Sequence, residues 1–196
     1  MKLIKILTIV FLIFSFHNIV KADDIRDFQI EGVSIGDSLL NYLSKELIEN
    51  EKNSDTAYKD NEYSRIWYDG KGKFKTYDYL QIHLKTNDAK YIIQSLEGKI
   101  IYKDNIKDCY NQKNIIYNEL KELFPTAKVK NIKKKHTADT SGKSLTDSTY
   151  LILPNNKGNF GVACYDYSKE FGKTDNLKVF IDTAEFLKWL NTKAYE

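Results

Sequence analysis

Tyr77-Asp78-Tyr79-Leu80-Gln81-Ile82-His83-Leu84 alternates with a period of two, and an Asn87-Asp88 turn then leads to a second extended stretch from Tyr91 to Tyr102. Successive side chains leave a pleated strand on opposite sides, so this alternation marks a strand with one face toward a core. Leu80, Ile82 and Leu84 fall on one face, and Tyr79, Gln81 and His83 on the other. A turn this short cannot carry a crossover, so the two stretches pair antiparallel. Gly98 either divides the second stretch into two strands or lies within one.

Upstream, Tyr63 to Tyr68 reads as a strand ended by the turn Asp69-Gly70-Lys71-Gly72-Lys73. Before it, Asp27 to Glu31 reads as a short strand and Gly32 to Gly36 as a turn. Asp37 or Ser38 can cap a helix that carries Leu39, Leu40, Leu43 and Leu47 and fades near Asn50, with a polar loop from Glu51 to Glu62. Downstream, Ile106, Cys109, Ile116, Leu120 and Leu123 line one face of a helix over 106–123, which Pro125 cannot continue. Strand patterns return at Val129 to Lys134, Tyr150 to Leu153, Phe160 to Tyr167 and Leu177 to Asp182, and Thr183 caps a last helix holding Phe186, Leu187, Trp189 and Leu190. Runs of strands followed by a helix define an α+β fold, an antiparallel sheet or sheets with N-terminal, central and C-terminal helices packed on them. Two successive strands-then-helix halves hint at a duplication, with no matching residues between them.

The first 22 residues read as an export signal. Lys2 and Lys5 precede an 11-residue apolar run from Ile6 to Phe16, interrupted only by Thr8 and Ser15, and Val20-Lys21-Ala22 offers a cleavage site before Asp23. Retention as an anchor is the alternative, although a span of about 20 residues would have to include Lys5, His17 and Asn18. Cleavage after Ala22 leaves a single domain from 23 to 196 in the periplasm or outside the cell, with no later membrane segment. Lys2, Lys5 and Lys21 leave with the signal and no acid does, so the mature chain has 27 basic and 27 acidic residues. A neutral chain gives no electrostatic reason to expect nucleic acid as a partner. The run Lys128, Lys130, Lys133, Lys134 and Lys135 reads as a lysine-protected edge strand, or as a contact for anionic lipid or polysaccharide.

Cys109 and Cys164 both have inward parity, one on a helix stripe and one beside Phe160 and Val162. An oxidising compartment would bridge them; two reduced core cysteines are the alternative. Metal ligands at regular spacing are absent: there is no C-x-x-C, no EF-hand loop, and His83 and His136 are far apart. Neither a metal nor another cofactor is expected. Ser141-Gly142-Lys143-Ser144 lacks the first glycine of a P-loop, where Thr137 stands. The formal G-x-S-x-G of Gly32 to Gly36 comes too early in the chain for an α/β-hydrolase elbow.

Gly36-Asp37-Ser38-Leu39 resembles the nucleophile block of the GDSL (SGNH) ester hydrolases. That likeness implies Ser38 as nucleophile, with its own N–H as an oxyanion donor. The family's late D-x-x-H pair and its G-x-N-D block are missing, and capping of a helix by Asp37 or Ser38 explains the same residues. The opening from Asp27 to Leu40, with Tyr77-Asp78-Tyr79 and Cys164-Tyr165-Asp166, resembles a group of small uncharacterised exported proteins from marine bacteria with A+T-rich genomes. This resemblance implies export and brings no activity. A similarity limited to the glycine-rich turn before the first helix extends to small periplasmic outer-membrane-assembly factors.

With no complete catalytic set, the sequence points to a soluble exported domain that binds a small ligand or an envelope partner. Trp67, Tyr77, Tyr79 and His83 are the candidate ligand platform, since strand parity groups Trp67 with Tyr63 and Arg65, and groups Tyr77, Tyr79 and His83. Aromatic rings with polar edges suit the flat apolar faces of sugars, and such residues equally serve as ordinary sheet residues under a helix.

Overall fold

The computed structural model describes residues 24–55, 58–103 and 105–195, so the expected signal and its cleavage site lie outside the described residues. The alternating stretch forms the hairpin of β4 (Tyr79–Lys85) and β5 (Ile93–Ile101). Before it come β1 (Gln29–Ile30), β2 (Val33–Ser34) and β3 (Tyr63–Tyr68); after it come β6 (Lys128–Lys135), β7 (Leu145–Ile152), β8 (Asn159–Asp166) and β9 (Asn176–Asp182). The helices are α1 (Lys45–Ser54), α2 (Ile106–Leu123) and α3 (Ala184–Thr192). β1 and β2 pair with each other, while the other strands form a seven-stranded sheet in the order β3-β4-β5-β9-β8-β7-β6, every neighbour antiparallel. The α+β class read from the sequence is the fold observed.

Register gives the sheet two unlike faces. Leu80 and Ile82 of β4, Leu96 of β5, Leu177, Val179 and Ile181 of β9, and Phe160, Val162 and Cys164 of β8 fall on one face, and all are buried. We call it the core face. Each such side chain removed from water contributes about 1.5–3 kcal/mol before the entropy of ordering is set against it. α2 covers the β7–β9 half: Cys109 and Leu120 are buried in the core, and Phe124 stacks on Phe160 at a centroid distance of 4.1 Å. On the same half Lys113 of α2 forms an ion pair with Asp147 of β7. The β3–β5 half is covered by the N-terminal segment through Ile30, Val33, Leu39, Leu43 and Ile48.

Gly98 does not break β5. A Cβ there would lie 2.7 Å from the Tyr77 ring and 2.8 Å from Ile30, so only glycine lets both pack down on the sheet.

The first helix differs from expectation. Ser38 caps only a 3-10 turn over Leu39–Asn41, and Ser44 caps α1, which runs through Ser54 and includes part of the expected polar loop. Residues 36–39 instead hydrogen-bond along residues 91–93: Gly36 N donates to Ile93 O, Ile93 N to Asp37 O and Leu39 N to Tyr91 O. These tertiary bonds hold the segment extended where its leucine spacing suggested a helix. β7 begins at Leu145, five residues before the expected strand, because Thr146, Asp147 and Ser148 hide its alternation.

Both sheet edges are protected. β6 carries the lysine run, as expected of an edge strand. At β3 the outward N–H groups of Arg65 and Trp67 donate to carboxylates beside the sheet, Asp55 Oδ2 at 2.6 Å and Glu51 Oε2 at 3.4 Å. The duplication hinted at by element order fails on handedness of cover. A two-fold axis exchanging antiparallel β5 and β9 would keep α2 and α3 on one face, yet α2 packs on the core face and α3 on the opposite one, where Phe186 meets Tyr63 and His83.

Cys109 and Cys164 form a disulfide, with Cα atoms 6.0 Å apart and a sequence separation of 55. It ties α2 to β8 within the core. Closing a loop of that length restricts the unfolded chain by about 4 kcal/mol. Replacing both cysteines by alanine is expected to lower the unfolding free energy by roughly that amount in chemical denaturation. The intact chain should weigh two hydrogens less than its reduced form, and ready alkylation of both thiols without reductant would refute the bridge.

Candidate functional site

The second face of the sheet is polar, and cross-strand register arranges it in rows. Nearest α3 lie Arg65, His83, Ser95, Asp182 and Asn159, one from each of five adjacent strands. The next row holds Trp67, Gln81, Glu97, Phe180, Gly161 and Tyr150, and beyond it lie Tyr79, Lys99, Lys178, Ala163 and Ser148. α3 covers the β3–β5 end of this face. Phe186 and Trp189 are buried there with Tyr58 and Tyr63, and Trp189 Nε1 donates to Asp60 at 2.7 Å.

What α3 leaves open is a groove of about 410 Å³, within the usual size of small-molecule sites. Tyr150, Tyr165 and Phe180 give it aromatic walls, Leu187 and Leu190 of α3 close one side, and Ile132 lies on the β6 rim. A Cβ at Gly161 would fall 2.1 Å from the Phe180 ring, so glycine there lets the ring lie flat on the sheet. Tyr150 meets that ring edge-on at 5.4 Å.

Lys178 and Glu97 form an ion pair in the groove, 2.6 Å apart with side chains 18% and 16% exposed. Gln81 Nε2 donates to the other Glu97 oxygen at 3.1 Å. Burial disfavours both charges, but each partner offsets it for the other: Lys178 titrates above its ordinary value and Glu97 below. Lys99 stands directly across from Lys178, and burial together with that neighbouring cation brings it down to about 8. Its ammonium lies 5.1 Å from the centre of the Tyr79 ring.

Asp182 is different. It is buried, its Oδ1 accepts from Ser95 Oγ at 2.7 Å, and no lysine or arginine pairs with it among the described residues. Burial raises it to about 7, with Glu97 adding to the shift and the Ser95 bond and Lys178 opposing it. Opposite Asp182 on β8 stands Asn159, also buried, whose Oδ1 has no hydrogen-bond partner. Both residues line the groove.

The residues expected to form an aromatic platform are only partly brought together. Trp67 and Tyr79 meet edge-to-face at 5.1 Å and line a second, larger hollow of about 500 Å³ against Leu43 and Leu47. That hollow is mainly apolar, whereas the groove contains the buried polar groups that can orient a polar ligand. His83 shares the polar face but is sealed beneath α3, its ring tilted against Phe186 at a centroid distance of 4.7 Å and bonded through Nε2 to Tyr58 OH at 3.1 Å. Its burial lowers it to about 4, so it is neutral at physiological pH. Tyr77 departs from the expected parity: it precedes β4 and packs over Gly98 on the core face. Ser38 donates its hydroxyl to Lys90 O at 2.7 Å and accepts from Leu40 N at 3.3 Å, and no hydrogen bond joins it to a histidine among the described residues.

Glu97, Asn159, Lys178 and Asp182 escaped sequence reasoning because they converge from three strands distant in the chain. One signal was available: ionisable or amide side chains at alternating positions of strands whose other face is mostly apolar. No family model, curated protein or solved structure matches the chain.

The raised Asp182 fixes a direction for stability against pH. A carboxyl that holds its proton to about 7 when folded, against 3.8 ordinarily, contributes stability at low pH that is lost as pH rises through that window. Asp182→Asn keeps an acceptor for Ser95 and has no proton to lose. Its melting temperature is therefore expected to exceed that of the parent at pH 8, with the gap shrinking toward pH 4. A gap that does not change with pH would refute the shift.

Proposed function

We propose that the chain is an exported binding protein that holds a small polar ligand of monosaccharide size in the open groove. The observation that carries this reading is the uncovered half of an otherwise packed sheet: aromatic walls around an ion pair and two buried polar residues. Aromatic rings suit the apolar face of a pyranose, while buried acids, amides and lysines suit its hydroxyl edges. Catalysis is not part of the reading. The Ser38 hydroxyl is committed to backbone bonds, and His83 has no path to solvent beneath α3.

Export agrees with the apolar leader and the disulfide, and no helix among the described residues is long and apolar enough to cross a membrane. The protein recovered from its native cell is expected in the periplasmic or secreted fraction with Asp23 as its first residue. Recovery only from the cytoplasm, with Met1 retained, would overturn the export reading.

Binding is tested by titrating a panel of monosaccharides and methyl glycosides against isotope-labelled protein. Amide shifts should concentrate at residues 150, 161, 163 and 180. Ile132→Trp, on the solvent-exposed edge strand, should fill the groove and abolish those shifts while leaving the rest of the spectrum unchanged. Shifts confined to the Trp67–Tyr79 hollow, or none with any sugar, would refute the groove as the site.

A further inference from the structure

We infer that the Asp182–Asn159 end of the groove is a subsite for a primary ammonium group, so that the ligand is an amine-bearing saccharide. This rests on the groove being a saccharide site, and it adds which chemical group enters first. Two acceptor side chains stand opposite each other on β9 and β8, both buried and both lining the cavity. Asn159 Oδ1 has no partner, and a buried amide oxygen without a donor is costly unless a ligand supplies one. Among the described residues Asp182 receives a hydrogen bond from Ser95 and forms no ion pair. An ammonium carries three donors in a compact head, enough to serve both oxygens at once.

The surrounding charges favour the same group. Glu97 of β5 is the acid nearest along the polar face, and its charge is balanced by the Lys178 ammonium 2.6 Å away, which acts on Asp182 without pairing with it. α3 turns only the uncharged Leu187, Leu190 and Asn191 into the groove, and Lys130 and Lys134 belong to the far β6 rim. The uncompensated charge at this end is that of Asp182 once it ionises. Free Asp182 keeps its proton to about 7 because burial disfavours its charge and Glu97 adds to that, with the Ser95 bond and Lys178 opposing the shift only in part. An arriving ammonium would favour the carboxylate, and the Asp182 proton would pass to the buffer. Binding should then strengthen as pH rises through that range.

Methyl 6-amino-6-deoxy-α-D-glucopyranoside and methyl α-D-glucopyranoside share a ring and differ only in an ammonium for a hydroxyl. Isothermal titration at pH 7.5 is expected to give the amino glycoside at least a tenfold lower Kd, consistent with a charge-assisted hydrogen bond in place of a neutral one. The preference should shrink to within twofold in Asp182→Asn, and should shrink in the parent protein at pH 5.5. Equal binding of both glycosides, or a preference that survives Asp182→Asn, would overturn the ammonium subsite and leave the groove reading standing. If neither glycoside binds, the saccharide reading fails, and the subsite is decided by the ¹³C carboxyl resonance of Asp182. Its titration midpoint should fall with added methylammonium and not with tetramethylammonium, which has no N–H donors; an unchanged midpoint overturns the subsite as well.

Discussion

Pairing of β5 with β9 joins the two halves of the sheet, and its register sets everything around it. Leu96 opposite Ile181, and Ile100 opposite Leu177, commit one face to the core; Ser95 opposite Asp182, and Lys99 opposite Lys178, commit the other to polar chemistry. A slip of one residue would turn leucines to the groove and lysines into the core, because side chains alternate with a period of two. The disulfide between Cys109 and Cys164 reinforces that choice by anchoring α2 on the core face. Stability and the site are therefore two faces of one constraint.

Unequal cover turns that constraint into a cavity. The core face is closed along its length, by α2 over one half and by the N-terminal segment over the other. On the polar face the helical cover among the described residues is α3, nine residues long, which with Tyr58 seals the β3–β5 end through Phe186 and Trp189. A second helix like α2 would fill the groove, and the chain has none there among the described residues. At the sealed end His83 Nε2 bonds Tyr58 OH, while Tyr63 OH and His83 Nδ1 have no hydrogen-bond partner among the described residues and are shut away from solvent. At the open end, Asn159, whose Oδ1 has no partner among the described residues, and Asp182, bonded to Ser95, both line the groove. Access is what separates the two ends: α3 seals His83 from solvent, while Asp182 and Asn159 border the groove.

Element type and order were largely legible before the structure. Strand β3, α2 and the Thr183 cap of α3 fall where alternation, helical spacing and capping chemistry put them, since each depends on residues close in sequence. Misreadings occurred where distant contacts override local preference. Leu39, Leu40, Leu43 and Leu47 have helical spacing, but backbone bonds to residues 91–93 hold the chain extended at Ser38. Tyr77 has the parity of Tyr79 and still lies on the core face, because the strand begins only after it and Gly98 leaves room for its ring.

The sequence by itself determined an antiparallel α+β fold, the faces on which its apolar residues gather, and a pair of cysteines with inward parity. Those properties follow from periodicity and turn chemistry, which act over a few residues. Tertiary structure alone decided that β5 and β9 meet at the centre, that α2 and α3 cover opposite faces, and that Asp182 and Asn159 stand side by side with no ion pair among the described residues. Residues more than twenty positions apart become neighbours only when the register is fixed, and no local pattern in the chain encodes which polar residue will be left facing an open groove.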